Sequence, residues 1–417
     1  MSDLLHEIRF ALNEKVVRWT LLIAFLLSGI SLINGWLAIQ HQEDQLAVLK
    51  SETAADQAHV LPTQGDAGSA GYYVFHLTYD PPSKLAFTAM GMRDELPWKH
   101  RLRILALEGQ IYESDPGNPE LSHLGSLDFA YVVAIILPLL LIGLLFDLDA
   151  RERRESRYEL LCATSISGER VLLFRACARA VLLFAAIIAP FLAALLFSNV
   201  ALATSLSIVL AVMIHTIFWL GVCRIVTSRK IEGVTAAATL FGLWLLLTSI
   251  IPLAGKLVAE QSITVPDGGD ILLTQRETVN DAWDLPKPAT MDRFVEVHPE
   301  WSEGAAVNQP FEWKWYYAFQ QVGDQEAQPL STALYQGITR RDQRMAWVSF
   351  FSPPLLIDRW LSRTAKTDVA QHLRYIDCVR QFHSTLRHFH YPMLFGEEPY
   401  SEEKMEQLPQ FEPCQTR

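Results

Sequence analysis

The sequence predicts an α-helical polytopic membrane protein with about five transmembrane helices, a sixth left open, and a large mixed α/β ectodomain. Three observations support this fold class. Hydrophobic residues make up 50% of the 417 residues. Charged residues make up only 19%, and five apolar runs of spanning length alternate with polar stretches of ordinary globular composition. A helix of about 18 or more apolar residues matches the ~30 Å hydrocarbon thickness of a bilayer.

The first apolar run covers residues 19–39 and follows three basic residues. It is longer than the apolar core of a signal peptide, so we expect an uncleaved membrane anchor. Before it, Leu5, Ile8 and Leu12 recur at helical spacing among charged residues, which predicts an amphipathic helix at the membrane interface. Residues 1–39 are therefore expected to hold an interfacial helix and the first span.

Four further apolar runs fall within residues 127–253. Their predicted bounds are residues 129–146, 180–197, 202–223 and 233–253. Pro138 lies inside the second span, where neighbouring helices can satisfy the backbone groups that a proline frees. His215 is the main ionisable residue within the spans, and this scarcity argues against ion-coupled secondary transport.

The polar stretches at residues 40–126 and 254–417 are predicted to form the two parts of the ectodomain. Within the second part, residues 345–361 contain a short apolar segment that two prolines and Asp358 interrupt. We expect this segment to lie at the membrane interface, with a re-entrant segment or a sixth span as the alternative.

The distribution of basic residues predicts the orientation of the chain. Thirteen of the 35 Lys and Arg residues fall in only 60 positions, at residues 1–18, 147–179 and 224–232. Residues 40–126 hold six. Because cytoplasmic loops carry the excess of Lys and Arg, the N-terminus is expected in the cytoplasm and both ectodomain parts outside.

Composition and motifs exclude several classes of function. The net charge of −11 argues against a nucleic-acid partner, since phosphate binding needs a basic face. No P-loop motif (Gly, any four residues, Gly-Lys-Ser/Thr) occurs, so ATP and Mg²⁺ are expected on a separate ATPase chain and no cofactor on this one. No Ser-His-Asp or Cys-His arrangement rises above chance, so we expect no enzymatic activity.

Three histidines close together near the C-terminus raise the question of a metal site. His383, His388 and His390 fall on a predicted amphipathic helix whose apolar stripe includes Leu386 and Phe389. Because no HExxH pattern and no neighbouring cysteine ligand accompany them, we expect surface histidines rather than metal ligands.

The charged stretch at residues 147–179 holds seven arginines and predicts an amphipathic helix, a Ser/Gly break and a second helix start. A helix that protrudes between two spans can transmit a nucleotide-driven motion to them. A plain loop that follows the positive-inside rule is the alternative. The residues expected to contact an ATPase are Glu155, Arg157, Glu159, Leu160 and Leu161.

The second ectodomain part contains a block of aromatic residues. Such a block is typical of a packed core or of anchors at the membrane interface. A docking surface for an export partner or an amphipathic substrate is the alternative. The residues considered for such contact are His298, Glu300, Trp301, Trp313, Trp315, Tyr316 and Tyr317.

Five cysteines show no metal-type spacing and are expected to be ordinary thiols. Cys378 and Cys414 fall in the region predicted to lie outside, in an oxidising compartment where disulfides persist. The sequence leaves their pairing open, because it does not show whether their Cα atoms come within the ~7 Å limit for a disulfide.

Blocks of sequence along nearly the whole chain resemble the ABC type-2 exporter permeases, and specifically their large-ectodomain subgroup of undefined substrate. The blocks are GYYVFHLTYDPPS (residues 71–83), LALEGQIYE (105–113), GNPEL (117–121), HPEW (298–301), EWKWYYAFQQ (312–321), Ser352-Pro353, Thr367-Asp368 and residues 387–395. The resemblance implies a half-transporter in a bacterial inner membrane, with a periplasmic ectodomain, that pairs with a separate ATPase and with a second permease as a homo- or heterodimer. Ordinary type-2 permeases have a sixth span, which is not clear in this sequence.

The predicted function is therefore the membrane-spanning permease subunit of an ATP-driven exporter. It would couple ATP hydrolysis on a separate subunit to outward movement or membrane extraction of a substrate. The alternative is a non-transporting mechanotransmission or sensor subunit whose ectodomain acts on a periplasmic partner. A continuous polar cavity between the spans would favour transport, whereas tightly packed spans would favour transmission.

Overall fold

The computed structural model describes residues 2–112, 127–164, 168–198, 200–229 and 231–414. Within them, five helical segments are long and apolar enough to cross a membrane, which agrees with the predicted number of spans. These segments are Lys15–Thr63, Phe129–Arg154, Arg170–Leu195, Leu202–Thr227 and Gly233–Ser262.

The first span belongs to a helix that is much longer than a bilayer is thick. Helix α1 (Ser2–Asn13) precedes α2 (Lys15–Val60), which contains 46 residues. At 1.5 Å per residue, α2 is about 69 Å long. Its polar half continues into the part of the chain that is predicted to be an ectodomain, and that name is kept below for residues 40–126 and 254–417. There Gln57 donates its side-chain amide to the Phe75 carbonyl at 2.7 Å. The apolar run ends at residue 39, but the helix continues to Val60.

The other spans are four helices, and two short helices lie between the second and third. Helix α5 comprises Phe129–Tyr131, the π-helical segment Val132–Ile136 and Leu137–Leu145. It is followed by α6 (Leu148–Arg154), α7 (Arg157–Thr164), α8 (Gly168–Leu195) and α9 (Leu202–Thr227). Helix α10 comprises Gly233–Leu245, the π-helical segment Leu246–Ile250 and Ile251–Ser262.

Each π-helical segment ends two residues before a proline. Val132–Ile136 precedes Pro138, and Leu246–Ile250 precedes Pro252. A proline inside a helix has no N–H to donate and its ring crowds the carbonyl four residues earlier. A wider π turn relieves that crowding, but it leaves backbone carbonyl groups without their usual N–H partners. Those carbonyl groups then need other hydrogen-bond donors.

Side chains from other elements supply donors to both π-helical segments. Trp244 of α10 donates its indole N–H to the Ile135 carbonyl of α5 at 3.1 Å. The Ser352 hydroxyl donates to the Leu247 carbonyl of α10 at 2.6 Å. Both bonds tie the irregular segments to neighbouring elements, as expected for kinked helices inside a bilayer.

In the described part of the chain, the ectodomain contains one small sheet and many helices. The first part holds α3 (Ala67–Tyr73), β1 (His76–Tyr79), β2 (Lys99–Leu102) and α4 (Leu107–Tyr112). The second part holds α11 (Gly268–Asp284), α12 (Lys287–Val297), α13 (Trp313–Ser349), α14 (Pro353–Ala365), α15 (Val369–Phe395) and α16 (Glu402–Met405). Strands β1 and β2 pair antiparallel, with His76 opposite Leu102.

The expected mixed α/β ectodomain differs from what the described residues form, since strand structure is confined there to β1 and β2. The physical reason lies in the spacing of apolar residues. In α13, Trp315, Phe319 and Val322 are buried at intervals of four and three residues, which is the period of a helix. Helix α15 also buries apolar residues at intervals of three and four positions.

Two large apolar clusters organise the molecule. One joins the spans and includes Phe129, stacked on Phe191 with ring centroids 5.2 Å apart, together with the fully buried Trp219. The other lies in the ectodomain, where Phe294 stacks on Phe395 at 4.6 Å. The chain therefore has an apolar core inside the bundle of spans and a separate one outside it.

Residues 345–361 form the junction of two helices and are not among the five candidate spans. Helix α13 ends at Ser349 and α14 begins at Pro353. Helix α14 buries Ile357 and Leu361 against the cluster of the spans. The junction exposes large apolar side chains, those of Trp347, Phe350 and Phe351, in a pattern typical of the membrane interface.

Candidate functional site

The charged connector, residues 147–164, begins at the polar end of the second candidate span and leads toward the third. It contains two helices where the sequence predicts one amphipathic helix before a Ser/Gly break. Helix α6 ends at Arg154, and α7 begins at Arg157. Ser156 between them has a positive φ of 56°, which ends a helix and changes the chain direction. A break therefore lies within the proposed ATPase-contacting segment, whereas the Ser/Gly break expected after it falls largely on residues outside the described part of the chain.

Arg175 of α8 lies at the centre of an ion-pair network that holds this connector. It donates Nε to Glu7 Oε2 of α1 at 2.9 Å and Nη1 to Glu152 Oε1 of α6 at 2.7 Å. Arg157 donates Nε to the other oxygen of Glu152 at 3.1 Å. Glu7 and Glu152 are both buried. One guanidinium thus joins the interfacial helix, the connector and the third span.

Two further arginines anchor the same region. Arg224 of α9 donates to Asp149 Oδ1 of α6 at 2.7 Å, and Asp149 is buried. Arg179 of α8 donates to Glu14 at 2.7 Å and to the Leu144 carbonyl, at the end of α5, at 2.6 Å. Because charged hydrogen bonds in a partly buried site are strong, a displacement of α6 is expected to move α8 and α9 with it.

Three of the five residues predicted to contact an ATPase lie on the exposed side of the connector. Glu155, Arg157 and Glu159 are exposed, and Glu155 pairs with Arg151 at 3.1 Å and with Arg157. Leu160 and Leu161 belong to α7, but their side chains lie outside the described part of the chain.

Sequence reasoning missed the buried carboxylates Glu7, Asp149 and Glu152 and their partners Arg175 and Arg224. A signal was available, because a loop selected only for positive charge would not carry several acids beside its arginines. These residues are far apart in the sequence, on helices from α1 to α9, so their contacts could not be recognised from the sequence alone.

A second candidate site is a cavity of about 310 Å³ in the ectodomain, between α13, α15 and the start of α4. Three of the residues considered for contact with a partner or substrate line this cavity, namely His298, Glu300 and Trp301. The other aromatic residues considered do not line it. Trp315 and Tyr317 are buried in the ectodomain cluster, and the partly buried Trp313 and Tyr316 pack against that cluster.

Two ion pairs at this cavity join residues that are distant in sequence. Arg380 donates to Glu108 Oε1 at 3.1 Å, and the Ser331 hydroxyl donates to Glu108 Oε2 at 2.9 Å. Arg387 donates to Asp324 at 2.7 Å. Burial raises the pKa of Glu108, and the charge of Arg380 opposes that rise. The pairs fix the cavity wall, and the sequence did not predict them.

The expectation of surface histidines in α15 is wrong for two of the three residues. His383 and His390 are buried, and only His388 is exposed. His383 Nε2 contacts the carbonyls of Arg103 at 3.1 Å and Leu105 at 2.8 Å. Burial lowers the pKa of His383 well below its usual value, so that the imidazole is neutral and donates to these carbonyls. No cluster of three metal-binding side chains is found in the described residues.

A disulfide joins Cys378 of α15 to Cys414, with Cα atoms 6.0 Å apart. The pairing that the sequence left open is thus present in the structure. It fastens the segment after α16 to α15, where Phe411 packs edge-on against Phe382 at 5.3 Å between centroids. Cys177 and Cys223 are free thiols.

Comparison with known proteins gives one match, a domain of unknown function (DUF3526) at residues 271–413. This match covers about a third of the chain and includes α12 to α16, Cys378 of the disulfide and most of the residues that line the ectodomain cavity. No curated protein and no solved structure matches the chain.

Proposed function

We propose that the chain is the membrane-spanning permease subunit of an ATP-driven ABC exporter. Its ATPase is a separate polypeptide, which holds ATP and Mg²⁺, and a second permease completes the pair. The complex lies in a bacterial inner membrane, with the connector in the cytoplasm and the ectodomain in the periplasm. Hydrolysis drives outward movement or membrane extraction of a substrate.

The observation that carries this proposal is the double ion pair of Arg175 with Glu7 and Glu152. A subunit that receives a push from an ATPase needs an exposed contact surface and a stiff connection to its spans. The connector exposes Glu155 and Glu159 on one side, and its buried carboxylates bind arginines of α8 and α9. The arginine of α8 also binds Glu7 of α1. Breaking a buried pair by removing one partner costs about 3–5 kcal/mol, so the connection resists small loads.

The proposal is tested by photo-crosslinking in the native host. A photoreactive amino acid at Glu159, on the exposed side of α7, should form a crosslink to an ATPase chain. The same probe at Lys256, near the opposite end of the fifth span, is the matched control and should give none. An assembly purified through this chain that shows neither the crosslink nor ATP turnover would contradict the proposal.

Mechanotransmission is the second candidate, and α2 favours it. This helix continues without a break from Lys15 near the connector to Val60 in the ectodomain. The cluster between the spans is apolar and includes Leu137, Leu141 and Trp219, which is the packing expected for transmission. Spin labels at Asp56, whose side chain is 40% exposed, and at the exposed Arg374 report the distinction. Their distance should change on ATP addition in a transmitter even when no substrate crosses the membrane.

A further inference from the structure

A cavity of about 600 Å³ lies at the basic end of the spans, between α1, the start of α2, the end of α5 and α6. Its lining combines two chemistries. One wall is apolar, and the other carries four arginines and three carboxylates. The apolar wall comprises Phe10, Val16, Val17, Gly143, Leu144, Phe146 and Leu148, and the arginines are Arg151, Arg157, Arg175 and Arg179.

The position of the cavity places it at the boundary of the bilayer. Val16 and Val17 begin the first span, and Leu144 and Phe146 end the second. Phe10 and Val16 are exposed beside the opening. An apolar wall that continues into the lipid-facing surface of the spans is suited to acyl chains, whereas the arginines lie where a headgroup would lie.

The carboxylates of the cavity are already paired, and this leaves positive charge for a ligand. Glu14 accepts from Arg179, Asp147 from Arg154, and Glu152 from Arg175 and Arg157. Among the hydrogen bonds of the described residues, Arg151 uses only its Nε, toward Glu155 at 3.1 Å.

The terminal nitrogens of Arg151 therefore remain available. Its side chain is 56% exposed. A guanidinium with two parallel N–H groups matches a phosphate geometrically.

We propose that this cavity is a binding site for one anionic phospholipid, whose phosphate lies against Arg151 and whose acyl chains follow the apolar wall. Bound lipid would touch α1, α2, α5 and α6 at once, and so would join the interfacial helix to the connector. A volume of about 600 Å³ lies within the usual range of ligand sites. The site needs no nucleotide and no partner chain, so its test is separate from that of the proposed transport function.

Gly143 offers a direct test because it lines the cavity and a Cβ built on it meets nothing within 4 Å. Gly143→Leu should place its side chain in the open space at this position and so occupy part of the cavity. Gly242 in the fifth span also has open space around it and does not line the cavity, so Gly242→Leu is the matched control. Arg151→Gln removes the headgroup contact, and Arg9→Gln removes an exposed charge from α1 outside the cavity.

The measurement is native mass spectrometry of the purified full chain, titrated with phosphatidylglycerol, with phosphatidylcholine of the same acyl chains, and with inorganic phosphate. We expect one phosphatidylglycerol per chain. Arg151→Gln should bind it about tenfold more weakly, as the loss of one charged contact predicts. Gly143→Leu should also bind it more weakly, because the added side chain occupies space that the acyl chains would fill. The two control variants should bind like the wild type.

Three results would overturn the assignment: equal binding of phosphatidylcholine, binding of inorganic phosphate in place of lipid, or undiminished binding by both cavity variants. If Gly143→Leu fails to fold, Arg151→Gln decides alone. Its exposed pair with Glu155 contributes little to folding.

Discussion

Trp244 of the fifth span donates its indole N–H to the carbonyl of Ile135 in the π-helical segment of the second span, at 3.1 Å. The bond connects two spans at the place where each leaves the regular α-helical pattern. Helix α14 reaches the same region, because Ser352 at its start donates to Leu247. The irregular turns of both spans therefore depend on side chains from elsewhere.

Trp244→Phe should weaken this contact between the spans. The variant keeps an aromatic ring but loses the donor, and hydrogen bonds between membrane helices are worth about 0.6–1.7 kcal/mol. We expect a lower thermal unfolding temperature in detergent. Trp347→Phe, at an exposed side chain of the interfacial junction, is the matched control and should leave that temperature unchanged. Equal temperatures for Trp244→Phe and wild type would show that the bond contributes nothing.

Arg175→Gln should destabilise the chain by about 3–5 kcal/mol, because it leaves Glu7 buried without its cation and leaves Glu152 with Arg157 alone. Arg154→Gln removes the ion pair between Arg154 and Asp147. Because the Arg154 side chain is 63% exposed, this change should lower the free energy of unfolding by only about 0–1 kcal/mol. Denaturant titration of both variants compares these costs. Adding Glu7→Gln to Arg175→Gln should restore part of the loss, because it removes the buried charge that has lost its partner, and no restoration would contradict the charge argument.

The ectodomain should lose stability as the pH falls from 6.5 to 4. Burial lowers the pKa of His390 from 6.5 to about 4, and that of His76 to about 3. Below pH 6.5 the unfolded chain binds protons that the folded chain excludes, so the folded state becomes less favourable. Above pH 6.5 both states are neutral at these residues. Each such histidine adds a slope of up to about 1.4 kcal/mol per pH unit.

His390→Leu should reduce this slope of unfolding free energy against pH between 6.5 and 4. His388→Leu changes an exposed histidine on the same helix and should leave the slope as in the wild type. Thermal unfolding of the full chain at several pH values provides the comparison. Identical slopes for His390→Leu and the wild type would mean that His390 is protonated in the folded chain.

Cys414→Ser should destabilise the fold by about 2–4 kcal/mol, because the disulfide with Cys378 closes a loop across 36 positions of sequence. Cys177→Ser provides the matched control, since Cys177 is a free thiol. Impermeant thiol labelling of intact cells tests the location as well. A new reactive thiol at Cys378 in the Cys414→Ser variant would support an external ectodomain. Labelling that requires permeabilised membranes would contradict the orientation.

The spans could be predicted because an apolar run of fixed length is required wherever a helix crosses a bilayer. The continuation of α2 beyond residue 39 could not, since its exposed polar residues fit a helix or a loop equally well. The π-helical segments depend on Trp244 and Ser352, which approach from other elements. Pro138 marked only the position of an irregularity, not how its backbone would be satisfied.

The candidate sites were predicted less completely, for a related reason. Glu155 and Glu159 were found because exposure and charge are local properties of the sequence. The network around Arg175 depends on contacts across 168 positions to Glu7, which no local pattern records. His390 was placed on the surface because a histidine suits both water and a core, and only the packing of α15 decides between them.

The length of α2 has a geometric consequence. Because the helix is continuous from Lys15 to Val60, a rotation of about 10° around its first residue carries its last residue sideways by about 12 Å, given a rise of 1.5 Å per residue. The same rotation moves residues near the pivot by only an ångström or two. A small angular change at the basic end of the membrane therefore becomes a displacement, at the far end, as wide as the helix itself.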